Sequence, residues 1–205
     1  MEYYIFDFDG VIGNSRDLTF DIHNSIASKY GLDKVHSQDD YLNIVDNFNW
    51  KKIMKDEDIV KYYSECNKYY EKNLSKVKLY PYIKKLLQNS SKEIVIITST
   101  FEKFVYDILK CNGIDKKINV IGKKTKPSKI ERFELFLDNN KIKRENIIYI
   151  GDTMYDYIFC KKSGIRMIGS NYGYSNLKKI ENELVMLFET DKDLYDYLCK
   201  KEFLW

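Results

Sequence analysis

The opening stretch constrains the fold more than any other part of the chain. Tyr3-Tyr4-Ile5-Phe6-Asp7-Phe8-Asp9-Gly10-Val11 is an apolar run that climbs to a carboxylate, skips one residue to a second, and breaks at glycine. An apolar run of this length bounded by a turn signal predicts a buried strand. Side chains two apart on a strand share a face, which puts Asp7 and Asp9 on one side and Phe6 and Phe8 on the other. Gly10 and Gly13 let the backbone turn and come close to whatever the acids hold. Two acids at the end of a buried strand are costly unless paired, hydrogen-bonded or bound to a cation. The start of the chain is therefore a candidate site.

Downstream of residue 79 the pattern alternates. Strands are predicted over 93–98, 118–122, 146–151 and 165–169, with a further one at 184–188; helices are predicted over 80–88, 101–112, 128–139, 153–163 and 192–201. Strands that alternate with helices of this length imply right-handed crossovers and a Rossmann-like parallel sheet with helices on both faces. The strands suit that burial, being apolar at nearly every position. Residues 14–78 interrupt the alternation with helical periodicity alone: 15–30, 38–48 and 56–74, with no strand signal between. They are expected to form an inserted all-helical cap subdomain, leaving 1–13 and 79–205 as the core.

With 205 residues and 44% apolar content the chain can bury one core domain with a smaller insertion. The formal charge is only +3, spread over scattered lysines without an arginine-bearing stripe. Nucleic acid is not an expected partner on that pattern. Cys66, Cys111, Cys160 and Cys199 form no close pair, so free thiols buried in helices are expected, in a reducing cytoplasm. The N-terminus enters the strand directly, with no signal-peptide pattern, and no apolar run reaches membrane-spanning length. A monomer or homodimer away from membranes is the expectation.

Ligands of open α/β sheets sit beyond the carboxyl ends of the strands, and four polar signals fall there. They are Asp7 with Asp9; Thr98-Ser99-Thr100, leading into a helix whose N-terminal amides can hold an anion; Lys126-Pro127-Ser128-Lys129; and Gly151-Asp152-Thr153 with Asp156 a turn later. Acids brought to within about 4 Å repel by about 4 kcal/mol at an effective dielectric near 20. A hard cation such as Mg²⁺ relieves that cost. A cation, a lysine and a ring of hydroxyls and amides suit a phosphoryl group. One carboxylate can attack it as nucleophile while a second moves protons.

The ordered set DFDGV, a threonine after the second strand, a helix-start lysine and GDTMYD resembles the haloacid dehalogenase-like (HAD) hydrolases. The helical insertion resembles the cap of their phosphoglycolate phosphatase and β-phosphoglucomutase branch. The resemblance implies Asp7 as nucleophile and Mg²⁺ ligand, and Asp9 as general acid/base whose backbone carbonyl also meets the metal. It implies Thr98, with Ser99, as phosphate ligands, Asp152 as completing the metal shell, and Asp156 as supporting that shell from outside or binding through water. Either Lys126, which precedes proline, or Lys129, after a serine at the helix start, matches the motif lysine; Lys129 is favoured. The implied activity is Mg²⁺-dependent hydrolysis of a small-molecule phosphate monoester through an aspartyl-phosphate. A phosphosugar mutase and an inactive regulatory protein of the same fold are the alternatives. An acid at position 9 favours phosphate over carbon–halogen chemistry.

Overall fold

The computed structural model describes residues 3–37, 39–41, 55–124 and 128–200. The expected six-stranded parallel sheet is present. Its strands are β1 (Tyr3–Phe6), β4 (Val95–Phe101), β5 (Asn119–Lys123), β6 (Ile147–Gly151), β7 (Arg166–Ser170) and β8 (Met186–Phe188), in the order β5-β4-β1-β6-β7-β8. Every pairing in it is parallel. The chain leaves β1 toward β4 and β5, then returns to build β6, β7 and β8 on the other side. The reversal makes a crevice at the carboxyl ends of β1 and β6, where ligands of such sheets bind.

Alternation along the strands feeds two cores. Tyr4, Phe6 and Ile96 pack on one face of the sheet. The helices there are α3 (Pro81–Asn89), α4 (Glu102–Cys111) and α7 (Asp191–Lys200), through Ile83, Leu86, Val105, Ile108, Leu194 and Leu198. Ile5, Val95, Ile97, Ile147 and Tyr149 pack on the other face against Phe133 of α5 (Lys129–Asn140) and Phe159 of α6 (Met154–Ser163). Both faces are covered, as continuous apolar strands require.

Residues 14–78 hold α1 (Arg16–Ile26), a 3-10 turn at Ala27–Tyr30 closed by left-handed Gly31, and α2 (Asp56–Lys72). Leu18, Ile22, Ile26, Tyr62 and Tyr70 from these helices join the first core. Most of the helix expected over 38–48, together with Asn49, Trp50 and Lys51, lies outside the described residues.

Three local expectations need correction. First, β1 ends at Phe6, so Asp7 and Asp9 do not share a strand face. Asp7 N makes the last sheet bond, 2.8 Å to Ile150 O, and the Phe8 carbonyl then closes a turn by accepting from Val11, Ile12 and Gly13. Second, two short strands flank the helical segment: β2 (Gly13–Asn14) and β3 (Lys78–Leu79) form an antiparallel ribbon. Two residues per strand leave no periodicity to detect. Third, the four cysteines do lie in helices, yet only Cys160 is buried; Cys66 and Cys199 are partly exposed and Cys111 is exposed. Cys66 and Cys199 pack at the margin of the first core, and Cys111 is the last residue of α4.

Candidate active site

Asp7 follows β1 and Asp152 follows β6, so the crevice at the reversal point is flanked by acids. Asp156 reaches the same place from the first turn of α6. One carboxylate oxygen from each of Asp7, Asp152 and Asp156 lies within 4.8 Å of the others. Among the described residues, the cation between them is Lys129, the first residue of α5, whose Nζ lies 2.9 Å from Asp7 Oδ2 and 2.8 Å from Asp156 Oδ1. Its side chain is only 2% exposed and runs between the rings of Tyr149 and Phe159, at 5.1 and 5.5 Å from their centroids.

The capping boxes explain how α5 and α6 deliver these groups. Ser128 accepts from Glu131 N while Glu131 receives Ser128 N, which fixes the start of α5 and hence Lys129. Thr153 and Asp156 repeat the arrangement on α6. Asp156 Oδ2 accepts from Thr153 N at 3.1 Å, Thr153 Oγ1 at 2.6 Å and Asp152 N at 3.3 Å. Both Asp156 oxygens are thus engaged, one by its own helix start and one by Lys129.

Asp152 is differently placed. It is fully buried; Oδ2 accepts from Tyr174 N at 2.6 Å, and Oδ1 has no hydrogen-bond partner among the described residues. Leaving a buried carboxylate oxygen bare is costly. The space around it is set by two glycines: a Cβ on Gly173 would stand 2.4 Å from Asp152 Oδ2, and one on Gly10, where φ is +75°, only 1.9 Å from it.

The electrostatics follow from three acids around one ammonium. Burial pushes the Asp7 carboxyl up to about 7, with Lys129 pulling down and Asp156 pushing up. Burial and the neighbouring Asp156 and Asp7 charges also raise Asp152. Burial alone would raise Asp156, but the Lys129 ammonium outweighs it and holds that carboxyl below its usual range. Burial alone would lower Lys129, and Asp156 and Asp7 outweigh it, so the ammonium stays charged. A site with uncompensated negative charge and a bare oxygen suits a hard divalent cation. Asp152 has a bare oxygen to offer it, and Asp7 Oδ1, which accepts from Phe8 N at 2.7 Å, keeps a second lone pair.

Asp9 stands apart from this group. Its carboxylate accepts from three hydroxyls: Ser15 at 2.5 Å and Tyr70 at 2.8 Å on Oδ1, and Thr100 on Oδ2. Ser15 also meets Tyr174 OH at 2.9 Å, which meets Thr19 at 2.8 Å. Tyr174 therefore touches the Asp152 carboxylate with its amide and the Asp9 surroundings with its hydroxyl.

Thr98 is buried on β4; its Oγ1 accepts from Thr100 N at 3.2 Å and its carbonyl accepts from Arg132 Nη2 at 2.8 Å. β4 continues to Phe101 before α4 begins at Glu102, so the three hydroxyls lie on the strand end rather than in the first turn of the helix. Ser99 is exposed, and Thr100 is the one that reaches Asp9. Lys126 lies outside the described residues. Sequence reasoning placed Thr100 in the strand-end signal with Thr98 and Ser99 but passed over Ser15, Tyr70 and Tyr174 as site residues. Nothing in local sequence marks Tyr70 or Tyr174 among 18 tyrosines.

A Rossmann-like parallel sheet with carboxylates gathered at its reversal point defines an α/β fold with an acidic crevice. The chain belongs to the haloacid dehalogenase-like hydrolases, whose family model matches residues 4–170. It is 28% identical over 124 residues to a phosphoglycolate phosphatase of Vibrio cholerae, covering 57% of this chain and 55% of that protein. It is 24% identical over 193 residues to a phosphoglycolate phosphatase of Haemophilus influenzae, covering 83% and 85%. The first relatives it matches, from Vibrio, are spanned over about half of their length. Among solved structures, a haloacid dehalogenase-like hydrolase from Streptococcus pneumoniae has the same fold, with a TM-score of 0.78 at 18% identity over 95% of this chain and 97% of that one. CbbY from Rhodobacter sphaeroides, solved in complex with phosphate, has a TM-score of 0.73 at 15% identity, covering 95% and 96%.

Proposed function

We propose that this chain is a Mg²⁺-dependent phosphatase that hydrolyses a small phosphate monoester through an aspartyl-phosphate on Asp7. The observation that carries the proposal is the pairing of Asp7 with Lys129 beside the bare oxygen of Asp152. Asp7, Asp152 and the backbone carbonyl of Asp9 would hold Mg²⁺. When bound, the ion would neutralise the acids and draw charge off the phosphoryl oxygens.

The remaining work falls to side chains. An Asp7 oxygen attacks phosphorus and the ester P–O bond breaks. Asp9, one residue beyond Phe8 and fixed by three hydroxyls, gives a proton to the departing alkoxide and then takes one from the water that cleaves the acyl phosphate. Lys129 offsets phosphoryl charge at Asp7, Thr98 and Ser99 contribute hydroxyls, and Asp156 keeps Lys129 and the start of α6 in place. Residues 14–78 act as a cap that covers the crevice and excludes water. The curated relatives, named as phosphoglycolate phosphatases, support phosphate ester hydrolysis as the reaction.

The test is release of phosphate from a panel of phosphate esters with Mg²⁺ present, wild type against Asp7→Asn. Turnover by wild type that EDTA and Asp7→Asn both abolish is expected. An Asp7→Asn protein as active as wild type would end the proposal.

A further inference from the structure

A cavity of about 240 Å³ lies beside Asp9, between α1, α2 and the end of β4. Its walls are rings: Tyr41, Tyr63, Tyr70, Phe101 and Phe104 line it. Phe101 and Phe104 meet edge to face at 5.2 Å, and Tyr70 stacks on Phe104 at 6.2 Å. Among the described residues of the lining, Asp9 is the only carboxylate and there is no lysine, arginine or histidine. Burial raises the Cys66 thiol to about 11 and lifts the Tyr41, Tyr63 and Tyr70 phenols above their ordinary range, so these walls stay neutral. Lys123 meets the Phe101 ring at 5.2 Å but is not part of the lining.

Resting on the phosphatase reading above, we propose that this cavity receives the leaving group and selects phosphate esters of a neutral, ring-bearing alcohol over those of an anionic one such as glycolate. Asp9, the group that protonates the leaving oxygen, is in the wall, so the alcohol released there must sit in this space. A carboxylate on that alcohol would approach Asp9 with no cation among the described lining to receive it. That arrangement leaves a desolvated charge without a partner. A ring instead meets aromatic edges and faces. The volume exceeds the roughly 150 Å³ of an apolar cavity that accepts benzene, so one ring and its linking carbon fit.

The experiment compares benzyl phosphate with 2-phosphoglycolate, in turnover by wild type with Mg²⁺ and in calorimetric binding to Asp7→Asn. Acetyl phosphate, whose leaving group is too small to fill the cavity, serves as the control for catalysis. Benzyl phosphate is expected to lead at least tenfold in both kcat/KM and affinity. Asn67, in the lining but outside the catalytic groups, provides the converse. Asn67→Lys should raise the ratio of kcat/KM for 2-phosphoglycolate to that for benzyl phosphate at least fivefold. Hydrolysis of acetyl phosphate with 2-phosphoglycolate equal to or better than benzyl phosphate overturns the cavity assignment and keeps the phosphatase. No hydrolysis of any ester, with Asp7→Asn still preferring benzyl phosphate, overturns the phosphatase and keeps the cavity preference. Neither turnover nor binding overturns both.

Discussion

The hydroxyl of Tyr70 donates to Asp9 Oδ1 across 2.8 Å, joining α2 of the helical segment to the acid that follows β1. Sixty-one positions separate the two residues in sequence, and the bond is one of three that hold the Asp9 carboxylate. The helical segment is thereby hydrogen-bonded to the acid proposed to move the proton rather than merely packed beside it. The same ring lines the cavity at Asp9, so a substrate filling that space touches the residue that orients the acid.

Tyr70→Phe should lower kcat while leaving the fold and the cavity wall intact. A hydrogen bond to a charged group contributes about 1.5–3 kcal/mol, so a loss of about tenfold or more in kcat is expected from steady-state kinetics. KM should change little, because the ring remains. A kcat within twofold of wild type would show that Ser15 and Thr100 suffice.

Lys129→Met leaves the Asp7 and Asp156 carboxylates buried together without their shared cation. Removing one partner of a buried charge pair costs about 3–5 kcal/mol, and urea denaturation should read a loss of that size along with nearly abolished turnover. Adding Asp156→Asn removes one orphaned charge and should return part of the stability but none of the activity. Lys126→Ala should keep most of the turnover, which separates the two candidate motif lysines. The opposite result, with Lys126→Ala dead and Lys129→Met active, would reassign the motif.

How much of this was legible beforehand follows a simple physical line. The sheet was legible because runs such as EIVIIT and NIIYIG are long, apolar and bounded by turns, and their helices carry clear 3.6-residue spacing. Asp7, Asp152 and Asp156 could be nominated because strand ends in such sheets converge on one crevice. The ribbon of Gly13–Asn14 with Lys78–Leu79 could not be read, since two residues have no period. The turn after Phe6 was hidden for a related reason: Phe8 continues the apolar alternation, yet its carbonyl serves three amides of the turn. Tyr70 and Tyr174 were invisible because their roles come from tertiary placement alone, one from a distant helix and one from a loop after β7.

Gly173→Ala should damage the metal site without touching an acid. The added Cβ would fall 2.4 Å from Asp152 Oδ2 and 2.5 Å from the Gly10 carbonyl, so Asp152 must move. Titrating activity with Mg²⁺ should give an apparent affinity weakened at least tenfold, with lower maximal turnover. Unchanged Mg²⁺ dependence would mean that Asp152 does not hold the ion.

Mg²⁺ should also stabilise the fold, because it would neutralise buried acids and cover the bare Asp152 oxygen. A ligand at 100 times its dissociation constant adds about 2.7 kcal/mol. Melting curves should therefore rise by several degrees with millimolar Mg²⁺ and return with EDTA. Asp152→Asn should abolish the shift. A wild-type melting temperature indifferent to Mg²⁺ would contradict the cation site.

His23 should make stability depend on pH. It is 1% exposed on α1, with Nδ1 2.8 Å from Tyr62 OH and Nε2 3.3 Å from the Asp33 carbonyl. Those partners fit the neutral ring: Nε2–H donates to the carbonyl and Nδ1 accepts from the phenol. Burial lowers the His23 pKa below its ordinary 6.5, the Asp33 carbonyl acting the other way. The unfolded chain therefore binds the extra proton first as pH falls. The stabilisation is complete above about 6.5 and is lost as pH drops from there toward the lower folded value, at up to about 1.4 kcal/mol per pH unit. Urea denaturation at pH 8.0, 6.5 and 5.5, wild type minus His23→Asn, isolates this group from the other titrating residues. The difference should shrink as pH falls; a constant difference would mean that His23 takes up its proton at the same pH in the folded and unfolded chain.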